Sequence, residues 1–147
     1  GGPMDADKMF DINAASEYII DGQYTREAYL DICHQLTQKF GFKQIAMTMR
    51  GSISASDNTW QAMLYSEGCG YFSQEYRMHI VDRVGGGDSF ASGLLYGLIK
   101  NLSSQETIEF ATAASCLKHS IEGDVNRVTV EEVRRLMQGD GSGRLEW

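Results

Sequence analysis

VDRVGGGDSFASGLL, Val81 to Leu95, is the stretch from which the fold is read. Three glycines, Gly85, Gly86 and Gly87, lead into Asp88, and a run of small and apolar residues with helical character follows. The extended run YRMHI, Tyr76 to Ile80, precedes them. The layout predicts a strand, a glycine turn and a helix, with a carboxylate in the first helical turn. Amides freed at a helix start bind anions, and glycine lets a phosphate come close to the main chain. A carboxylate there repels phosphate, but it is suited to take a proton from a hydroxyl that attacks one. The pairing implies phosphoryl transfer to an alcohol. The competing reading is a plain turn in which Asp88 caps the helix.

Two commoner phosphate loops do not fit. A P-loop needs a lysine after its last glycine, and none follows here. The dinucleotide fingerprint GxGxxG fails because Phe90 stands where its third glycine belongs.

Working outward, Thr25 reads as an N-cap, with Ala28, Tyr29, Ile32, Leu36 and Phe40 at helical spacing and Gly41 as the stop. A helix or strand-helix piece is expected around Ala14 to Ile20. QIAMTMR (Gln44–Arg50), TWQAMLYS (Thr59–Ser66) and YFSQEYRMHI (Tyr71–Ile80) read as strands joined by glycine-containing turns. Ser103 with Glu106, and Thr129 with Glu132, have capping-box spacing and open two further helices. A short final strand is expected in GDGSGRLEW at the end. This order predicts one α/β layered domain over residues 1–147 with an incomplete sheet. Ligands in such sheets bind beyond the carboxyl ends of the strands, where Gly51 and Gly85 to Asp88 fall.

The 147 residues are enough for one compact core. A net charge of −7 without a Lys/Arg cluster argues against nucleic acid as a partner. No apolar run reaches the length of a membrane span, and the first residues lack the basic-then-apolar order of a secretion signal. Cys33, Cys69 and Cys116 are far apart with no CxxC pair, so neither a zinc site nor a disulfide framework is indicated, which fits a reducing cytoplasm. His34, His79 and His119 are too separated to argue a metal cluster, and His119 reads as a packed or capping residue at a helix end.

The segment DRVGGGDSFASGLL resembles the second signature of the ribokinase-like, or pfkB, family of carbohydrate kinases. Asp82, Gly85, Gly86, Gly87, Asp88, Ser92 and Gly93 fall in place. Gly86, often alanine in that family, is read as a neutral variation. IAMTMRGS is similar to the strand and turn beside the nucleotide, FATAASCLKHS to the helix after the signature, and LKHSIEGDVNRVTVEEV to the 2-keto-3-deoxygluconate kinase branch. The resemblance implies a layered α/β/α ribokinase-like fold and ATP-dependent phosphorylation of a sugar or sugar-acid hydroxyl, with Mg²⁺ accompanying ATP. It implies Asp88 as the general base at the acceptor hydroxyl, and Gly85, Gly86 and Gly87 with the Asp88 amide as an anion hole.

Other roles carried over from the resemblance keep an alternative beside them. Asp124 contacts hydroxyls of the sugar acid, or is a turn residue beside Gly123. Thr48, Arg50, Gly51 and Ser52 line the nucleotide, or Arg50 is a surface charge. Thr112 borders the adenine pocket, or packs the helix. Asp82 positions metal-bound water, or caps the turn before the glycines. Asn13 and Glu17 miss the spacing of the family's metal-linked motif and are read as helix surface. Complete members are considerably longer, so the chain is expected to be an incomplete carboxy-terminal portion of the fold, weak in turnover alone. The absent part often joins two subunits, which implies a homo-oligomer. The rival readings are a kinase of the same fold acting on fructose, ribose or a nucleoside, and a non-catalytic nucleotide- or sugar-binding fragment with apolar surface left exposed.

Overall fold

The structure is a computed structural model that describes residues 1–139. The described residues fold as two compact units, Gly1–Thr48 with Met63–Tyr71, and Met49–Ala62 with the described residues from Phe72 onward. The closing strand expected in GDGSGRLEW lies, but for its first glycine, outside the described residues.

In the first unit, α1 spans Pro3–Phe10. The sequence pattern did not announce this helix, although Pro3 sits at its first position, where a missing N–H leaves no bond unmade. The Asp5 carboxylate accepts the Gly2 amide at 2.7 Å. A 3₁₀ turn at Ser16–Tyr18 leads into β1 (Ile19–Ile20), which pairs antiparallel with β2 (Gln23–Tyr24), Ile19 facing Tyr24. Helix α2 covers Arg26–Phe40. The Thr25 hydroxyl accepts the Ala28 amide, Gly41 closes the helix at φ 69°, and Ala28, Tyr29, Ile32, Cys33 and Leu36 form its buried stripe.

Strands β3 (Gln44–Ser52), β4 (Asp57–Ser66) and β5 (Cys69–Phe72) lie in the order β3-β4-β5, and β6 (Tyr76–His79) also pairs with β4. β6 runs antiparallel to β4, with Trp60 opposite Tyr76 and Asp57 opposite His79. The single strand expected over Tyr71–Ile80 is therefore two. Side chains take over the ladder bonds at the break. The Ser73 hydroxyl accepts the Ala62 amide at 3.0 Å, Gln61 Nε2 donates to the Ser73 carbonyl at 2.7 Å, and the Glu109 carboxylate accepts the Gln74 amide at 3.1 Å.

The second unit also holds α3 (Gly86–Ile99), α4 (Ser104–Lys118) and α5 (Val130–Met137). Both expected capping boxes are formed, at Ser103 with Glu106 and at Thr129 with Glu132. Helices α3 and α4 touch almost backbone to backbone. A Cβ on Gly93 would lie 2.6 Å from the Ala111 Cα, and one on Gly97 2.6 Å from Thr107 Cγ2. The core of this unit joins Trp60, Tyr76, Met78, Phe110, Leu117 and Leu136, among others. Burial of these large apolar side chains, each worth roughly 1.5–3 kcal/mol, holds α4 and α5 on the β4–β6 pair. The start of α3 is thereby fixed at the end of the segment that leaves β6.

Candidate active site

The glycine turn is built from three local constraints. Gly85 caps α3 with φ 78°, a left-handed conformation that costs other residues roughly 1–2 kcal/mol. A side chain there would also strike the Asp124 carbonyl oxygen. Gly86 stands over the imidazole of His119, where a Cβ would lie 2.5 Å from Cε1. Gly86 is therefore no neutral variation in this chain, because the His119 ring occupies the space an alanine methyl would need. Gly87 meets nothing within 4 Å, so its backbone is open to approach from outside.

The amides sort in the same way. The Gly86 N–H donates to the Arg83 carbonyl at 3.2 Å and the Ser89 N–H to the Gly85 carbonyl at 2.9 Å. Those of Gly87 and Asp88, second and third in the helix, have no acceptor among the described residues. They point the positive end of the α3 dipole outward. Of the four amides expected in the anion hole, that of Gly86 is spent on the turn, while those of Gly85, Gly87 and Asp88 have no acceptor among the described residues.

Asp88 lies on the exposed side of the first turn of α3. Together with Gly85 and Asp124 it lines a cleft of about 390 Å³ that also reaches Ser89, Ser92 and Asn126. Two carboxylates and the open end of a helix thus face one space. Behind them, the Ser89 hydroxyl donates to the Ala114 carbonyl at 3.0 Å and accepts Asn126 Nδ2 at 2.6 Å. The Ser115 hydroxyl donates to the Gly86 carbonyl at 2.8 Å. The His119 carbonyl accepts the amides of Val81 at 2.9 Å and Asp82 at 3.2 Å. Asp82 caps the turn: its carboxylate accepts the amides of Val84 at 3.0 Å and Gly123 at 2.9 Å. Those two bonds, with the Lys118 charge adding to them, hold its carboxyl below the usual carboxylate range.

His119 closes α4 as its C-cap residue and is buried. Its Nδ1 lies 2.7 Å from the Ser115 carbonyl, while Nε2 is buried without a partner among the described residues. Burial pushes its imidazole below the ordinary histidine value, and the Arg50, Lys118 and Arg83 charges push the same way. The ring packs 5.1 Å from that of Trp60, and the Arg50 guanidinium lies 5.1 Å from the Trp60 ring centroid. Arg83 Nη2 donates to the Ala55 carbonyl at 3.3 Å. Among the described residues neither arginine has a carboxylate partner. In a chain of net charge −7, these two guanidiniums beside the glycine turn are suited to an anion.

The other expected residues fall as follows. Gly51 abuts the Thr59 hydroxyl, which leaves no room for a side chain. The Ser52 hydroxyl donates to the Ser54 carbonyl at 3.4 Å. Thr48 belongs to the first unit, where its amide donates to the Gly1 carbonyl at 3.0 Å. Thr112 is fully buried in α4 and its hydroxyl donates to the Ile108 carbonyl at 2.7 Å, so its polar atom is committed within the helix. Asn13 lies outside any helix and donates to the Asp7 carboxylate at 2.9 Å. Among the described residues no group of three or more metal-ligating side chains converges, and no helix is long and apolar enough to cross a membrane. Sequence reasoning missed Arg83, Ser115 and Lys118. Arg83 directly follows Asp82 in the glycine segment, while the other two sit inside a helix whose pattern is simply that of a buried element.

The chain is similar to known proteins over most of its length. A family model described as pfkB family carbohydrate kinase matches residues 11–129. A curated 2-dehydro-3-deoxygalactonokinase of Haloferax volcanii is 27% identical over 112 residues, 76% of this chain and 33% of that protein. The crystal structure of 2-dehydro-3-deoxygluconokinase from Thermotoga maritima aligns with a TM-score of 0.86 at 43% identity, over 94% of this chain and 40% of that one. That of a pfkB family carbohydrate kinase from Listeria grayi aligns with a TM-score of 0.80 at 35% identity, over 95% and 40%. The chain spans between a third and two-fifths of the length of these relatives.

Proposed function

Since the chain belongs to the pfkB family of carbohydrate kinases, we propose that it carries the phosphoryl-transfer centre of an ATP-dependent kinase acting in the cytoplasm. The acceptor is a hydroxyl of a sugar acid, with 2-keto-3-deoxygluconate (the 2-dehydro-3-deoxygluconate of the Thermotoga protein's name) giving its 6-phosphate. The 147 residues work as one portion of that fold.

One observation carries the reading. Asp88 stands in the first turn of α3 beside two unspent amides, its own and that of Gly87, and faces a cleft shared with Asp124. Asp88 takes the proton of the attacking hydroxyl, while the two amides hold the oxygens of the group in transfer. A carboxylate is a weak base in water, so its effect comes from position. Loose phosphoryl-transfer transition states are stabilised chiefly by such preset dipoles. Asp124 orients acceptor hydroxyls from the opposite turn. Arg50 and Arg83, without a carboxylate partner among the described residues, meet the nucleotide phosphates. Gly51 and Ser52 contribute backbone and hydroxyl groups on the nucleotide side, and Thr112 contributes packing. Magnesium, when bound, neutralises charge on the phosphates. Asp88 and Asp124, on which no third metal-ligating side chain converges among the described residues, would suit an ion that keeps most of its waters.

The test pairs binding with turnover. The chain and its Asp88→Asn variant are titrated with a non-hydrolysable ATP analogue by calorimetry, and sugar-acid phosphorylation is followed with labelled ATP under single-turnover conditions. The variant keeps the analogue affinity and loses on the order of 10²–10⁴ in rate. Equal rates remove Asp88 from the chemistry, and a parent chain that ignores the analogue removes the kinase reading altogether.

A further inference from the structure

Lys118 is among the largest fully buried side chains of the chain, with 0% exposure. Among the described residues its ammonium has one acceptor, the Ile121 carbonyl at 2.9 Å. An ammonium has three donors, and burying one with a single acceptor is costly, so a neutral residue of similar volume would pack more cheaply. The position explains the choice. Lys118 lies at the seam between two turns. Its Cε is 3.2 Å from the place a Cβ on Gly85 would take, on the glycine-turn side. Its Nζ holds Ile121, at the start of the turn that carries Gly123 and Asp124. Across the same seam, the Asp82 carboxylate accepts one amide from each turn, Val84 and Gly123.

We propose that Lys118 is a positioning residue that locks the glycine turn against the 121–124 turn. Asp82 gathers the two amides and Lys118 ties down the neighbouring Ile121 carbonyl, its charge also lowering the Asp82 carboxyl. Seated together, the two turns bring Gly85 against the Asp124 carbonyl and keep Asp88 and Asp124 on one cleft. The importance of that cleft for chemistry rests on the kinase reading above, while the lock itself does not.

The experiment uses the whole chain and amide hydrogen exchange read by NMR. In Lys118→Met, which preserves length and removes charge, the Val84 and Gly123 amides are expected to exchange about tenfold faster. Amides of the β4–β6 pair are expected to keep their rates, and the Asp82 carboxyl to titrate at higher pH. Unchanged exchange and titration in the folded variant overturn the proposal. Should the variant not fold, the parent chain supplies the answer through the Lys118 Nζ resonance. It is expected to move as Asp82 titrates and to lose that movement in Asp82→Asn; an indifferent resonance overturns the proposal as well. ATP-analogue binding by the parent chain is scored separately, so failure of the kinase reading is distinguished from failure of the lock.

Discussion

The imidazole of His119 fills the space that a methyl group on Gly86 would need, with Cε1 2.5 Å from the Cβ position. The two residues are thus matched in size, although the helix α3 turn and the end of α4 are far apart in sequence. Gly86→Ala is expected to cost about 1–3 kcal/mol by overpacking. In Gly86→Ala/His119→Ala the methyl gains room, so the double variant costs less than the sum of the two single ones. Urea unfolding of the four proteins measures the coupling. Strict additivity would mean that the ring moves aside freely.

The same ring gives a pH dependence. His119 is buried and its imidazole is held below the ordinary value, chiefly by loss of solvent. The folded chain therefore binds this proton less readily than the unfolded chain, in which histidine titrates near about 6.5. The contribution is fully present above that pH. It declines as the pH falls through about 6.5 toward the depressed folded midpoint. Urea midpoints at pH 7.5 and 5.5 are expected to differ more for the parent chain than for His119→Asn. Equal pH slopes in the two would remove His119 as the source.

Neighbouring glycines are expected to respond in opposite ways. Gly85→Ala puts a side chain into the Asp124 carbonyl and keeps it at φ 78°, so it destabilises the second unit by more than about 1–2 kcal/mol. Gly87→Ala meets nothing within 4 Å and leaves the urea midpoint nearly unchanged. Its methyl instead stands where a phosphate would approach the free amides, and ATP-analogue affinity falls. Calorimetry on the two folded proteins, Gly87→Ala and parent, checks the second half.

The thiols report on each unit separately. Burial pushes Cys33 in the first unit and Cys116 in the second up to about 12, whereas Cys69 is exposed. A thiol reagent at pH 8 is expected to label Cys69 at once and the other two only through unfolding. Labelling of Cys33 and Cys116 against urea then tells whether the two units open at one midpoint or at two. Fast labelling of either in native buffer would contradict its burial.

Local chemistry was the legible part of the sequence. Thr25, Gly41 and the Ser103–Glu106 and Thr129–Glu132 boxes each satisfy amides or carbonyls within a few residues, so spacing alone reveals them. The strand–turn–helix unit with Asp88 in its first turn was legible for the same reason. What escaped depends on partners distant in the chain. Strand β5 stops because Glu109 of α4 takes the Gln74 amide. Gly86 is obligatory because of His119, and Lys118 is interior because two loops meet over it. Nothing within a window of about ten residues announces those meetings. Gly86 marks the limit of carrying readings over by position, because it owes its identity to a single neighbour.

Helix α4 contacts Gly97 through Thr107, Gly93 through Ala111, Gly86 through Ser115 and the strand-to-turn segment through His119. These contacts recur every four residues along one stripe, like graduations on a ruler. Inserting or deleting one residue would rotate everything beyond it by about 100°, and every later graduation would miss its mark together. Length along this stripe is therefore fixed, and descendants of this chain can vary there only by exchanging one residue for another.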